Sequence, residues 1–559
     1  YVVLNINSLQ KIIKVLQFTN KMQLKVKKGE MMINMTKKHL ERAVSPESLG
    51  ISSESILNFI EDCERSKVEL HSFMILRHGK VAAEAWWKPF NSETAHTMYS
   101  HSKSISSLAM GFAISEGLVS LDTKVYPLFE DKLPRVIPRE AMELNIRHLL
   151  TMTSGKLMNP MVNTEKMDWI KNFLSAPFAW KPGTKFVYTN ENSYMLCAIV
   201  NKVTGMSVTD YLMPRLFEPL QIDRPFWETD QNGIEAGGWG LQLKTEDQAK
   251  IIQCCLQNGM WEGKQIIPAD YLAEATSYQV DNAPGKPDNR VGYGFQFWMN
   301  RLPNSYRCDG LFSQFSIAMK DYDCCIVTNA GAPDEQGTLN AIWRHFPQGF
   351  TDEPMPENPE ALKKLRDKID SLSMPLMEVM PRNPQMEEKL RGKSIHTRDT
   401  GFASILAAPA TFMLSKKPGN IDNIRFEFSL SSASMTFKER NSPENTIEIG
   451  LDGKVRMSKI KLADLELDIA AQGAWRSDGS FEVWIRPLQM TQIRKMRFVF
   501  GERGAVLIHS RAEQPLYDLA VFWMGFIGLN VTSPLKAAAK GVVSSALPVI
   551  DPDIFGLLR

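Results

Sequence analysis

The sequence predicts an α/β domain whose sheet is completed by strands from both of its ends, followed by an antiparallel all-β domain. Three observations carry that prediction. Short apolar runs around a turn open the first domain near residue 73, and another closes it near residue 329. The stretch between them is dominated by helical periodicity. After about residue 400 the pattern changes to apolar/polar alternation.

Residues 46–62 read as a helix feeding a strand pair, 73–76 and 81–86, around His78-Gly79-Lys80. From Ser100 to Glu116, Ile105, Leu108, Ala109 and Phe112 fall on one stripe, the mark of a helix, and Gly117 ends it. The pattern stays mostly helical with loops to about residue 270, and 324–329 then reads as a late buried strand. Residues 351–360 hold three prolines and four acids, a boundary, and 359–372 form a short linker helix. Beyond it Ile424, Phe426, Phe428 and Leu430 alternate with polar residues, as do Phe481, Val483 and Ile485. Asp452-Gly453 and Asp478-Gly479 sit between such runs, a strong hairpin signal. The expected organisation is an α/β domain over 31–350, a linker over 351–399, an antiparallel barrel or sandwich over 400–531 and a tail over 532–559. The two domains are expected to fold separately, so that a chain ending near Pro356 keeps activity.

Residues 1–30 are expected to be translated leader or disordered. Tyr1 is not a start residue, and Lys28-Gly29-Glu30 before Met31 and Met32 can be encoded by a purine-rich stretch of the ribosome-binding type. A start near Met31, Met32 or Met35 follows, and a native N-terminal peptide beginning earlier would overturn it.

The 559 residues are 43% hydrophobic and 23% charged, ordinary globular composition. A net charge of +2 without a long Lys/Arg cluster gives no electrostatic reason for a nucleic-acid partner. Seven cysteines, an odd number with no paired CxxC spacing, read as reduced and mostly buried thiols rather than a zinc site. No segment reaches the roughly 18 apolar residues of a membrane span. The nearest, 519–531, reads as a core or docking element. The first 30 residues lack the apolar centre of a signal peptide, so a cytoplasmic location is expected.

The chemistry starts at Ser100-His101-Ser102-Lys103. Residues three apart share a helix face, and a lysine whose ammonium is destabilised by burial can take a serine proton. The same spacing recurs at Ser8–Lys11, Ser458–Lys461 and Ser533–Lys536, but only Ser100 opens a strongly apolar helix. Tyr188-Thr189-Asn190 is the single tyrosine among twelve with Asn two residues on, and it reads as a loop before a helix over 195–203. A phenol can relay a proton and an amide can orient a carbonyl. His101 lies one residue off the face of Ser100 and reads as a non-catalytic neighbour. His148 belongs to a helix start. No G-x-S-x-G, H-E-x-x-H or P-loop string occurs.

Four strings occur in order: Ser100-His-Ser-Lys-Ser; Asn145-Ile-Arg-His-Leu-Leu-Thr-Met-Thr-Ser-Gly155; Lys181-Pro-Gly-Thr-Lys-Phe-Val-Tyr-Thr-Asn190; and Gly237-Gly-Trp-Gly-Leu241 with Thr245-Glu-Asp247. In this set the chain resembles the serine β-lactamase and penicillin-binding-protein superfamily, on the class C-like branch that includes esterases, D-amino-acid peptidases and amide hydrolases. The resemblance covers about residues 45–335. It implies a β-lactamase-like domain, an antiparallel sheet flanked by a helical subdomain with the site between them. It also implies a serine hydrolase that cleaves an ester or amide through an acyl-enzyme, without metal or organic cofactor. Ser100 would be the nucleophile, Lys103 its base, Tyr188 the second proton-transfer residue, Asn190 the holder of the substrate carbonyl group, and the Ser100 amide half of the oxyanion hole.

The family's third motif, a Lys or His two residues before Gly on a strand edging the site, is matched only by Cys308-Asp309-Gly310 before Leu311. These four and Trp239 are the other candidate substrate contacts; the Cys308 thiol itself reads as packed and inert. An aspartate in that place disfavours carboxylate-bearing substrates, unless a one-residue shift puts Arg307 in the site. The expected partner is a small ester, amide or short peptide, with oligomerisation through the β domain or tail as a further expectation. The alternatives are a non-catalytic binding protein that keeps the pocket, and a true β-lactamase or DD-peptidase.

Overall fold

The computed structural model describes residues 39–156, 167–398, 403–406, 416–513 and 552–559, and the backbone of two strands near the N-terminus. Those two, Met22–Lys27 and Glu30–Met35, form an antiparallel hairpin within a first compact unit, Tyr1–Glu41. The rest of the leader expected over 1–30, the apolar run 519–531 and most of the tail lie outside the described residues.

The second unit, Arg42–Arg559, begins with an α/β domain. Its six-stranded antiparallel sheet runs in the order Lys80–Trp86, Leu70–Arg77, Cys324–Ala330, Gln314–Met319, Ser305–Gly310, Trp298–Met299. The early hairpin and the late strand expected from sequence are central neighbours, with Ile75 opposite Ile326. Leu70–Arg77 and Cys324–Ala330 are buried at every position, because both faces of the sheet are covered. On one face Ile56, Phe59 and Ile60 of the helix Ser53–Arg65 pack with Leu339 and Ile342 of the helix Glu335–His345. Ser52 caps the first of these helices, accepting from the amides of Glu54 and Ser55. The other face carries the helices Ser102–Ser115 and Thr245–Leu256.

The C-terminal β domain is a closed barrel. Among the described residues its sheet has ten strands, and Gly450 pairing with Gln472 joins Glu444–Gly450 to Leu465–Trp475 and closes it. Alternate residues fill the interior: Ile424 and Phe426, Ile447 and Ile449, Phe481, Val483 and Ile485. Two barrel strands lie outside the limits of 400 and 531. Ser394–Thr397 and Ile554–Leu558 are both barrel strands, paired with each other, and Ile554–Leu558 also pairs with Ala505–Glu513. Isolated from the other strands by long intervening stretches, these two short runs show too little alternation to be read locally.

The two domains share a core. Leu488 and Ala470 of the barrel, and Leu372 and Met374 of the linker, belong to the same apolar cluster as Phe73 and Trp87. Arg486 pairs with Glu69 at 3.0 Å across the boundary. Cutting near Pro356 would uncover this cluster, at roughly 1.5–3 kcal/mol for each large apolar side chain.

Candidate active site

Ser100 lies in the turn Tyr99–His101 that leads into the helix Ser102–Ser115. One turn on, Lys103 is buried at 1% relative exposure. Its Nζ donates to Ser100 Oγ at 2.9 Å, Asn190 Oδ1 at 2.7 Å and the Gly238 carbonyl at 2.7 Å. Burial pushes the ammonium down to about 7, although the charges of Glu191 and Asp309 pull the other way. A neutral amine has two hydrogens and one lone pair. With Asn190 and Gly238 taking the hydrogens, the lone pair is left for the hydroxyl of Ser100.

Tyr188 completes the cluster. Its ring lies 4.8 Å from Lys103 Nζ, and its phenol hydrogen-bonds with Ser100. Burial holds that phenol well above its usual pKa, so it stays protonated and can donate. Trp298 and Tyr293 wall it in, with ring centroids 5.4 and 6.2 Å from its own.

Two close approaches explain the glycines of the motifs. A Cβ on Gly238 would meet Asn190 Oδ1 at 2.9 Å, and one on Gly310 would meet the Met98 carbonyl at 2.2 Å and the His101 amide at 3.2 Å. Gly310 therefore brings the end of the strand Ser305–Gly310 against the turn Tyr99–His101.

Residues 64–342 match the family model described as Beta-lactamase. These residues belong to the serine β-lactamase and penicillin-binding-protein superfamily. An uncharacterized protein of Alkalihalophilus pseudofirmus is 22% identical over 279 residues, 44% of this chain and 76% of its own length. A β-lactamase of Escherichia coli is 21% identical over 251 residues, 39% of this chain and 66% of its own. A 6-aminohexanoate-dimer hydrolase of Paenarthrobacter ureafaciens is 23% identical over 222 residues, 36% and 55% respectively. The chain thus spans between 55% and 76% of the length of these relatives. Among solved structures, a penicillin-binding protein homolog from Caulobacter crescentus aligns at a TM-score of 0.44 and 14% identity, over 53% of this chain and 99% of its own.

Within the β-lactamase-family domain the other residues singled out from sequence take the following places. Asn190 opens the helix Asn190–Thr204 rather than lying on a loop before it. The polar first turn, Asn-Glu-Asn-Ser, hides that start from periodicity. Trp239 is buried at 4%, donates to Glu228 at 3.0 Å, and packs on Trp169. Cys308 is buried with its thiol toward Ser104, and burial pushes it up to about 12. Leu311 is half-buried just past the strand. Asp309 accepts from Arg307 Nε at 2.7 Å, so acid and guanidinium occupy the same face two residues apart. Arg307 is fully buried and also bonds Asn300 Oδ1 at 2.7 Å and Asn289 Oδ1 at 2.8 Å. His101 points to Ser316 at 2.8 Å, and His148 forms a capping box with Asn145.

Sequence reasoning passed over Gln296. It accepts from Ser104 on its backbone carbonyl at 2.7 Å and from Ser193 on its side chain at 2.6 Å, and donates to Leu149 O and Leu150 O at 3.1 and 3.0 Å. One buried residue thereby ties together the helix after Ser100, the helix of Asn190 and the Asn145–Gly155 string. A polar residue inside the aromatic run Tyr293-Gly-Phe-Gln-Phe-Trp298 was the available signal. Burial also pushes Glu228 up to about 7 and Glu335, beside Asp309, up to about 8.

Among the described residues no group of His, Cys, Asp and Glu is arranged to hold a metal, and no helix is long and apolar enough to cross a membrane. All seven cysteines are buried and unpaired.

Proposed function

We propose that the protein is a serine hydrolase that cleaves an ester or amide bond through an acyl-enzyme on Ser100. The observation that carries this is the triple contact of Lys103 Nζ with Ser100, Asn190 and Gly238. Neutral Lys103 takes the hydroxyl proton as Ser100 Oγ bonds to the substrate carbonyl carbon. The carbonyl oxygen, now negative, is held by the Ser100 amide. As the intermediate collapses, the bond to the leaving group breaks, and Tyr188 gives that group a proton and is reprotonated by the Lys103 ammonium. Water then adds to the acyl carbon by the same relay in reverse and frees the acid and Ser100.

The pairing of Asp309 with Arg307 supports a preference for neutral or amine-bearing substrates over those with a free carboxylate, since no unpaired cation stands where the family keeps its Lys or His. A fluorophosphonate probe followed by peptide mass mapping tests the reading. Label on Ser100, lost in Ser100→Ala, is expected. Labelling that survives in Ser100→Ala would move the nucleophile elsewhere, and a wild type that never labels would favour a pocket that binds without reacting.

A further inference from the structure

The barrel reaches the nucleophile. Residues 487–492 join the strands Phe481–Pro487 and Ile493–Phe500, and lie against the short strand His96–Thr97 that leads to Ser100. The Thr97 amide donates to the Gln489 carbonyl at 2.8 Å. Two residues further along each segment, the Tyr99 hydroxyl and Thr491 Oγ1 are 2.9 Å apart, and the Gln492 side chain also bonds that phenol. A second tie runs from Arg486 to Glu69 at 3.0 Å, to His71 at 3.0 Å and to His96 at 2.9 Å.

Tyr99, the residue before Ser100, has φ +45°. A left-handed backbone is costly for an aromatic residue and persists only where its surroundings fix it. The ring is 7% exposed and meets Phe312 edge-on at 5.5 Å. Thr491, at 1% exposure, lies inside the contact between the domains. Rotation at Tyr99 would swing the Ser100 amide and Oγ away from Lys103.

We propose that Thr491 is a positioning residue: through its hydrogen bond to Tyr99 the C-terminal barrel holds the nucleophile turn in its left-handed conformation and Ser100 Oγ in reach of Lys103 Nζ. This rests on Ser100 being the nucleophile. It makes the barrel part of the active site's support.

The test uses full-length Thr491→Val, Thr491→Ser, Tyr99→Phe and the Tyr99→Phe/Thr491→Val double variant. Three quantities are read: the second-order rate of fluorophosphonate labelling at Ser100, kcat and KM for a p-nitrophenyl ester, and the melting temperature. Thr491→Val and Tyr99→Phe should each slow labelling and kcat on the order of ten- to a hundredfold, with KM changed less than about threefold. Thr491→Ser, which keeps the hydroxyl, should recover to within about threefold of wild type. The double variant should be no slower than Tyr99→Phe alone, because that variant already removes the bond lost in Thr491→Val. Wild-type labelling rates in both single variants overturn the proposal. So does a Thr491→Ser as slow as Thr491→Val, or losses that follow melting temperature across the set. A wild type with no label on Ser100 removes the nucleophile assignment, and the proposal with it; label on Ser100 that is indifferent to Thr491 removes the proposal alone.

Discussion

Lys103 and Lys156 are buried to nearly the same degree, at 1% and 2% exposure, and burial pushes both ammonium groups down to about 7. Their surroundings differ completely. Lys103 faces a serine hydroxyl, an amide oxygen and a carbonyl, with Tyr188 over it. Lys156 donates to the Ala176 carbonyl at 2.5 Å and sits among the rings of Phe178, Phe173 and Tyr126, at 4.1, 5.2 and 5.6 Å. A lowered lysine pKa therefore does not mark a catalytic base by itself. Lys103 has a hydroxyl within reach and is the base we propose; Lys156 is packed against π-faces with no bond to a hydroxyl among its described contacts.

Substitution should separate the two most sharply. Lys103→Met is expected to lower kcat/KM for an ester by a factor on the order of 10⁴ or more, close to the loss in Ser100→Ala, because the pair acts as a unit. Lys156→Met should keep activity per folded molecule within about threefold while losing about 1–3 kcal/mol of stability, since the Ala176 carbonyl is left without its donor. Melting curves beside ester kinetics read both. Lys156→Met with normal stability and lost turnover would break the comparison.

Tyr188→Phe comes next, with an expected loss on the order of 10²–10⁴-fold in kcat, the usual range for a general acid–base group. The ring remains, so the packing against Trp298 and Tyr293 survives and melting should barely move. An unchanged rate would leave Tyr188 a packing residue, like the rings around Lys156.

The pH profile ranks third. In the proposed mechanism Lys103 works as the neutral amine, so kcat/KM should fall about tenfold per unit below about 7 and level off above it. Lys156 titrates in the same range, which makes Lys156→Met the necessary control. An acid limb that persists in Lys156→Met belongs to Lys103; one that vanishes belongs to Lys156.

The contrast also shows what the sequence could disclose. Ser100 and Lys103 are legible because one helical turn joins them, and Tyr188 because a turn and a helix frame it. The early hairpin, the late strand and the barrel's alternation are legible for the same reason, as period and punctuation are local. Lys156 gave no signal, since its rings come from three places, near residues 126, 173 and 178. Gln296 and the Tyr99–Thr491 bond were equally hidden: their partners lie 103 to 392 residues away, and only the folded chain brings them together. The shared core between the halves was hidden on this count too, because Leu488 looks like one more apolar residue between strands until it is found in the other domain's core.

The smallest expected effect is at Asp309, a charge that acts on Lys103; burial alone accounts for the shift of Lys156. Asp309 favours the charged form of Lys103, so Asp309→Asn should move the acid limb of kcat/KM to lower pH. The same substitution leaves the buried Arg307 without its carboxylate partner at 2.7 Å. The face that was balanced becomes positive, and a substrate carboxylate placed there gains on the order of 1 kcal/mol, about a fivefold preference. Comparing kcat/KM for a carboxylate-bearing substrate and its methyl ester, in wild type and Asp309→Asn, reads that change. Wild type should prefer the methyl ester, and the variant should shift severalfold toward the free acid. A ratio and an acid limb that both stay fixed would show that the Asp309–Arg307 pair lies beyond electrostatic reach of the substrate, and that Lys103, like Lys156, owes its low pKa to burial without a counter-charge.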